Sequence, residues 1–140
     1  GTLSDAAAEH VEALQRFGDI IGTAFQISDD IIDIDSPSDK SGKSQGTDLR
    51  EGVKTLPMLY ELAEDRPDPR LAELLSGPIT DDAEVAEALT LLRSSRGLER
   101  ARTTLSGYAQ RARTELAALP PTPARDACES VADYLVARTH

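Results

Sequence analysis

The stretch Phe17-Gly18-Asp19-Ile20-Ile21-Gly22-Thr23-Ala24-Phe25-Gln26-Ile27-Ser28-Asp29-Asp30-Ile31-Ile32-Asp33-Ile34 decides the fold. Around a helical turn of about 3.6 residues its apolar side chains point in nearly all directions, the pattern of a helix buried inside a bundle. Gly18 and Gly22, one turn apart, weaken the helix but let another helix or a ligand come close. The β-branched isoleucines also admit a strand over Ile27–Ile34. A helix that needs neighbours on every side predicts self-association or an exchanged-helix dimer.

Outward from this stretch the pattern stays helical. The helix reaches back to about Asp5, with Ser4 or Asp5 as a possible N-cap. Ser36–Gly52 changes to Ser, Gly, Asp, Lys and Pro, a polar loop with room for one short turn of helix. A loop of that length inside a compact domain is usually functional. Helices follow over Thr55–Glu64, from Asp68-Pro69 to Leu75, over Asp81–Arg93 behind a Thr80 cap, over Leu98–Leu119 after a break at Gly97, and from Thr122-Pro123 towards His140. No segment alternates apolar and polar residues over strand length, so the expected fold is all-α.

The chain has 140 residues, with Lys plus Arg 15 against Asp plus Glu 25, a net charge of −10. A field of that sign repels phosphate backbones, so no nucleic acid partner is expected. With no Trp, two Phe and three Tyr, the core must come from Ala, Leu, Ile and Val, which suits packed helices. The single Cys128 cannot form an internal disulfide and reads as a structural thiol on a helix, in keeping with a reducing, cytoplasmic setting. No apolar run reaches the roughly 18 residues of a transmembrane segment.

The chemistry concentrates at the end of the buried helix. Residues four apart lie about 40° from each other around a helix, so Asp29 and Asp33 leave one face while Asp30 leaves about 100° to the side. Two carboxylates so close to apolar packing call for a counter-ion, and Mg²⁺ with oxygen ligands and retained waters supplies it. The other reading is a solvated acidic helix end, placed against the sign of the helix dipole. The loop that follows carries Lys40, Lys43, Arg50 and Lys54 among Gly42, Gly46 and Gly52. Metal on one side and ammonium groups on the other are what a diphosphate requires. An EF-hand starting at Asp33 fails, because Pro37, Ser38 and Ser44 occupy positions that need a ligand, a Gly and a bidentate Glu. A P-loop fails for want of a preceding strand and a Gly-Lys-Ser/Thr array.

Three linked segments carry a family resemblance. Gly22-Thr23-Ala24-Phe25-Gln26-Ile27-Ser28-Asp29-Asp30-Ile31-Ile32-Asp33 resembles the second aspartate-rich motif of the trans-polyprenyl (isoprenyl) diphosphate synthases. Gly42-Lys43-Ser44-Gln45-Gly46-Thr47-Asp48 and Arg50-Glu51-Gly52-Val53-Lys54-Thr55-Leu56-Pro57 follow in the family's order. The resemblance implies part of an isoprenoid-synthase-type helical bundle, and an enzyme that condenses isopentenyl diphosphate with an allylic diphosphate. It further implies that Asp29 and Asp33 bind Mg²⁺, with Asp30 a weaker ligand, and that Gln26 faces the allylic group. Lys43 and Lys54 would then contact diphosphate, and Asp48 would orient the loop. Lys54 stands one place later than the family's usual Gly-Lys pair.

The family's first aspartate-rich motif has no counterpart here, so residues 1–140 are expected to form the C-terminal portion of a synthase domain, inactive alone and part of a homo-oligomer. The competing expectations are a non-catalytic partner subunit of a heteromeric synthase, and a terpene cyclase or head-to-head prenyl synthase on the same fold. Residues 1–50 hold ten acids against four bases, while residues 101–140 hold four against five. The acidity lies where Mg²⁺ would be gathered.

Overall fold

The computed structural model describes residues 3–35 and 46–139, and among these every element is a helix. They are α1 (Leu3–Asp35), α2 (Thr47–Glu51), α3 (Leu56–Leu62), α4 (Pro69–Leu74), α5 (Asp82–Arg93), α6 (Arg96–Leu116) and α7 (Pro123–Ala137). The all-α expectation holds, and Ile27–Ile34 is helix rather than strand. None of these helices is long and apolar enough to cross a membrane. The backbone divides into two compact units, residues 1–28 with 104–140 and residues 29–103.

In the first unit, Phe17 of α1 is buried against Ala112 and Leu116 of α6, with Ile20, Ile21, Leu119 and Cys128 packed around them. Cys128 is half-buried and unpaired, consistent with a structural thiol. Ala13, Ala24, Ala109, Ala112 and Ala132 are all buried, and these small side chains allow the helices to pack closely. Arg16 Nε donates to Glu115 Oε2 at 2.7 Å, and Arg113 Nε to Asp133 Oδ1 at 2.8 Å. Thr122 caps α7, its hydroxyl accepting from Arg125 N at 3.2 Å, with Pro123 in the first turn as expected.

In the second unit the core is built from Ile31, Ile34, Leu49, Met58, Leu71, Leu74, Val85, Leu89, Leu92 and Leu98. Asp68 caps α4 as expected, its side chain accepting from Arg70 N at 2.9 Å and Leu71 N at 3.1 Å. The cap of α5 is Asp81, not Thr80: its Oδ1 accepts from Ala83 N at 2.8 Å, leaving Asp82 and Glu84 in the first turn where the dipole favours acids.

Three further expectations are corrected. Gly97 does not break the chain but sits in the first turn of α6, because α3 crosses there too closely for a side chain. The helix over Phe17–Ile34 is not buried on all sides either. Ala13, Phe17, Ala24, Ile27, Ile31 and Ile34 are buried, whereas Phe25 is 48% exposed and Ile32 half-buried. Ser4 and Asp5 already lie within α1, so neither caps it.

Candidate metal and diphosphate site

The aspartates occupy the last two turns of α1. Asp29 is exposed and Asp33 half-buried, on one side of the helix by their four-residue spacing, with Asp30 half-buried to the side. Beside them in the chain Ile31 and Ile34 are fully buried, so the apolar residues anchor the turn that presents the acids.

A helix ending in Asp29, Asp30, Asp33 and Asp35 with no basic residue in its last turn concentrates negative charge at the negative pole of its dipole. Two arginines from distant helices offset it. Arg93 Nε, from the end of α5, donates to the carbonyl of Ile34 at 3.0 Å, and Arg102 Nη2, from α6, contacts Asp35 Oδ2 at 2.7 Å. Sequence reading missed both, since they stand 59 and 67 residues from their partners and no local pattern announces them.

After the residues that are not described, the chain re-enters through α2. Gly46 (φ 82°) and Gly52 (φ 77°) take left-handed conformations at its two ends. Each is also cramped: a Cβ at Gly46 would meet Val85 Cγ1 at 2.7 Å, and one at Gly52 would meet Pro78 Cγ at 2.9 Å. Val53 N donates to the Asp48 carbonyl at 2.9 Å, Ile79 N to the Leu49 carbonyl at 3.1 Å, and Arg50 pairs with Asp82 at 2.7 Å. The short turn anticipated within Ser36–Gly52 is therefore α2, fastened to α5 and to the chain before it. It places Asp48, half-buried, in its first turn, and Lys54 exposed just beyond Gly52.

Of the candidate residues, Asp29 and Asp33 share a side of α1, Asp30 diverges, and Gln26 is exposed on the same helix. Lys43, with Lys40, lies outside the described residues. Among the described residues no three His, Cys, Asp or Glu side chains gather tightly enough to enclose an ion. Asp29 and Asp33 are thus two acids one turn apart on one side of α1.

The sequence pattern described as polyprenyl synthetase matches residues 1–92, which include every candidate residue. The chain belongs to the polyprenyl synthetase family. It is 60% identical over 139 residues to nonaprenyl diphosphate synthase of Mycobacterium tuberculosis, matching 99% of this chain and 42% of that protein. The fold is similar to geranylgeranyl pyrophosphate synthase from Corynebacterium glutamicum, a structure complexed with calcium and isoprenyl diphosphate. The TM-score there is 0.82 and the identity 44%, over 94% of this chain and 41% of that one. It is likewise similar to polyprenyl synthase from Caulobacter crescentus, also complexed with calcium and isoprenyl diphosphate. There the TM-score is 0.81 and the identity 34%, over 92% of this chain and 40% of that one. This family member therefore spans about two fifths of the length of the relatives it matches.

Proposed function

We propose that the chain supplies the C-terminal, second-aspartate-motif portion of a chain-elongating prenyltransferase, which joins isopentenyl diphosphate to an allylic diphosphate. The observation that carries this reading is the family match across residues 1–92, within which α1 ends in a carboxylate pair on a buried isoleucine anchor. Calcium and isoprenyl diphosphate in two similar structures support a divalent cation and a diphosphate ligand.

The donor set fits Mg²⁺: carboxylate oxygens one turn apart, accessible enough for the ion to retain water. Asp29 and Asp33 would hold it and Asp30 would serve as a weaker ligand. Bound there, the ion offsets charge on the departing diphosphate. Arg93 and Arg102 hold the end of α1 in place, so the carboxylates are positioned before substrate arrives. Lys43 and Lys54 neutralise diphosphate oxygens, Asp48 orients the segment that bears them, and Gln26 lies beside the allylic group. Because diphosphate departure leaves an electrophilic allyl carbon for the isopentenyl double bond, no nucleophilic side chain is required. The same reading takes the assembled enzyme as a cytoplasmic homo-oligomer, supported by the unpaired Cys128 and by exposed Val131 and Tyr134 on α7.

Incorporation of labelled isopentenyl diphosphate tests the proposal. The chain alone should show none. Joined to the portion of the M. tuberculosis relative that it does not match, it should elongate an allylic diphosphate. A joined protein that folds, binds neither substrate and elongates nothing overturns the reading.

A further inference from the structure

The segment from Gly46 to Lys54, which the functional reading places on diphosphate, is gripped by residues that follow α4. Gly46 lies against Val85 and Leu89, and Gly52 against the Pro78 ring. Ile79 N donates to the Leu49 carbonyl at 3.1 Å, a backbone link between stretches distant in sequence, and Arg50 Nη2 meets Asp82 Oδ1 at 2.7 Å. The grip is tightest at the glycines. Both have positive φ, 82° and 77°, and a Cβ at either would collide with α5 or with Pro78. Within the segment, Gly52 N and Val53 N donate back to the Leu49 and Asp48 carbonyls at 3.3 and 2.9 Å, so the exit towards Lys54 is folded onto α2. Lys54 itself is exposed.

A lysine ammonium is a point charge on a long, flexible stem, and ordering it against an anion costs entropy. A backbone already fixed beneath it lowers that cost. We propose that Pro78, on the α4–α5 connection, and Asp82, in the first turn of α5, are positioning residues that set the affinity of this segment for a diphosphate by fixing the backbone that carries Lys54. Both side chains are exposed, so replacing them opens no gap in the core and removes chiefly their contacts with Gly52 and Arg50. The proposal rests on the functional reading and adds to it the residues that hold the segment in place.

The test is calorimetric titration of magnesium inorganic diphosphate into the joined protein, with hydrogen exchange followed at the Gly52 and Val53 amides. Pro78→Ala and Asp82→Asn should each weaken binding about threefold, and together about tenfold, the size expected of exposed contacts that act through position. Removing an acid would by its field alone favour an anion, so weaker binding in Asp82→Asn reports position rather than charge. Exchange at the two amides should quicken in step, while the number of sites per molecule and the Tm hold, and Asp82→Glu should recover most of the affinity. Wild-type affinity in the double variant, or weaker binding with the two amides unaltered, would overturn the proposal. So would fewer sites at an unchanged affinity, the mark of a general loss of folded protein. A wild-type joined protein that binds no diphosphate would overturn the functional reading as well, and it is told apart from the other outcomes because it needs no variant.

Discussion

Two helical glycines respond to substitution in opposite ways. At Gly97 a Cβ would lie 2.7 Å from Glu61 N and would also strike the Pro57 carbonyl, both of them backbone atoms that cannot swing aside. Gly97→Ala is therefore expected to destabilise the chain by about 3 kcal/mol or more in urea unfolding. At Gly18 the space is open, and Gly18→Ala should stabilise by up to ~1 kcal/mol through helix propensity alone. The buried Glu61 accepts from Gly97 N at 3.1 Å and Asp68 N at 3.4 Å, so α3 also supplies the cap for the start of α6. Sequence reading took Gly97 for a chain break because a glycine after a helix commonly marks one. The crowding that requires glycine there comes from residues about 36 positions away, where no local pattern reaches. Asp29 and Asp33, by contrast, were legible because their spacing and the isoleucines between them are local.

Between elements, polar contacts with long sequence separation fix the packing. Arg138, at the end of α7, donates from Nε to the buried Ser28 Oγ of α1 at 2.5 Å and lies over the Phe25 and Tyr134 rings. Arg138→Ala leaves that hydroxyl without its donor and is expected to cost about 1–3 kcal/mol, read as a lowered Tm, with Arg138→Lys recovering part of it. In the other unit Arg70 Nε and Nη2 contact Glu87 at 2.8–3.0 Å, joining α4 to α5. The hydrogen bond from Arg70 lowers the Glu87 pKa below its ordinary value of 4.5. A carboxylate lowered on folding adds stability above its unfolded pKa and loses it as pH falls through the folded one. Unfolding titrations should therefore show a small loss below about pH 4.5 that Glu87→Gln abolishes. Helix caps such as Asp68 and Thr122 were readable from one or two neighbouring residues. Cross-element pairs such as Arg93 with Ile34 were not, because only the fold brings them together.

At the scale of the whole molecule, a chain of net charge −10 holds ten of its 25 acids in its first 50 residues against four bases, and only four in residues 101–140 against five. The all-α class and the linked motifs were legible because apolar periodicity and residue order survive in any stretch of sequence. The bare face of α1 was not, since nearly continuous apolar character looked like burial on every side. The structure instead buries one stripe and leaves Val11, Leu14 and Phe25 open. A surface left open in this way is consistent with a chain spanning two fifths of its relatives. The central claim is that Asp29 and Asp33 form the metal half of a diphosphate site. Its most direct test is titration calorimetry of a non-hydrolysable allylic diphosphate analogue against the joined protein, with and without Mg²⁺. Binding should require Mg²⁺ and weaken at least tenfold, about 1.4 kcal/mol, in Asp29→Asn and in Asp33→Asn. Affinity that is unchanged without the metal, or unchanged in both variants, would contradict the account.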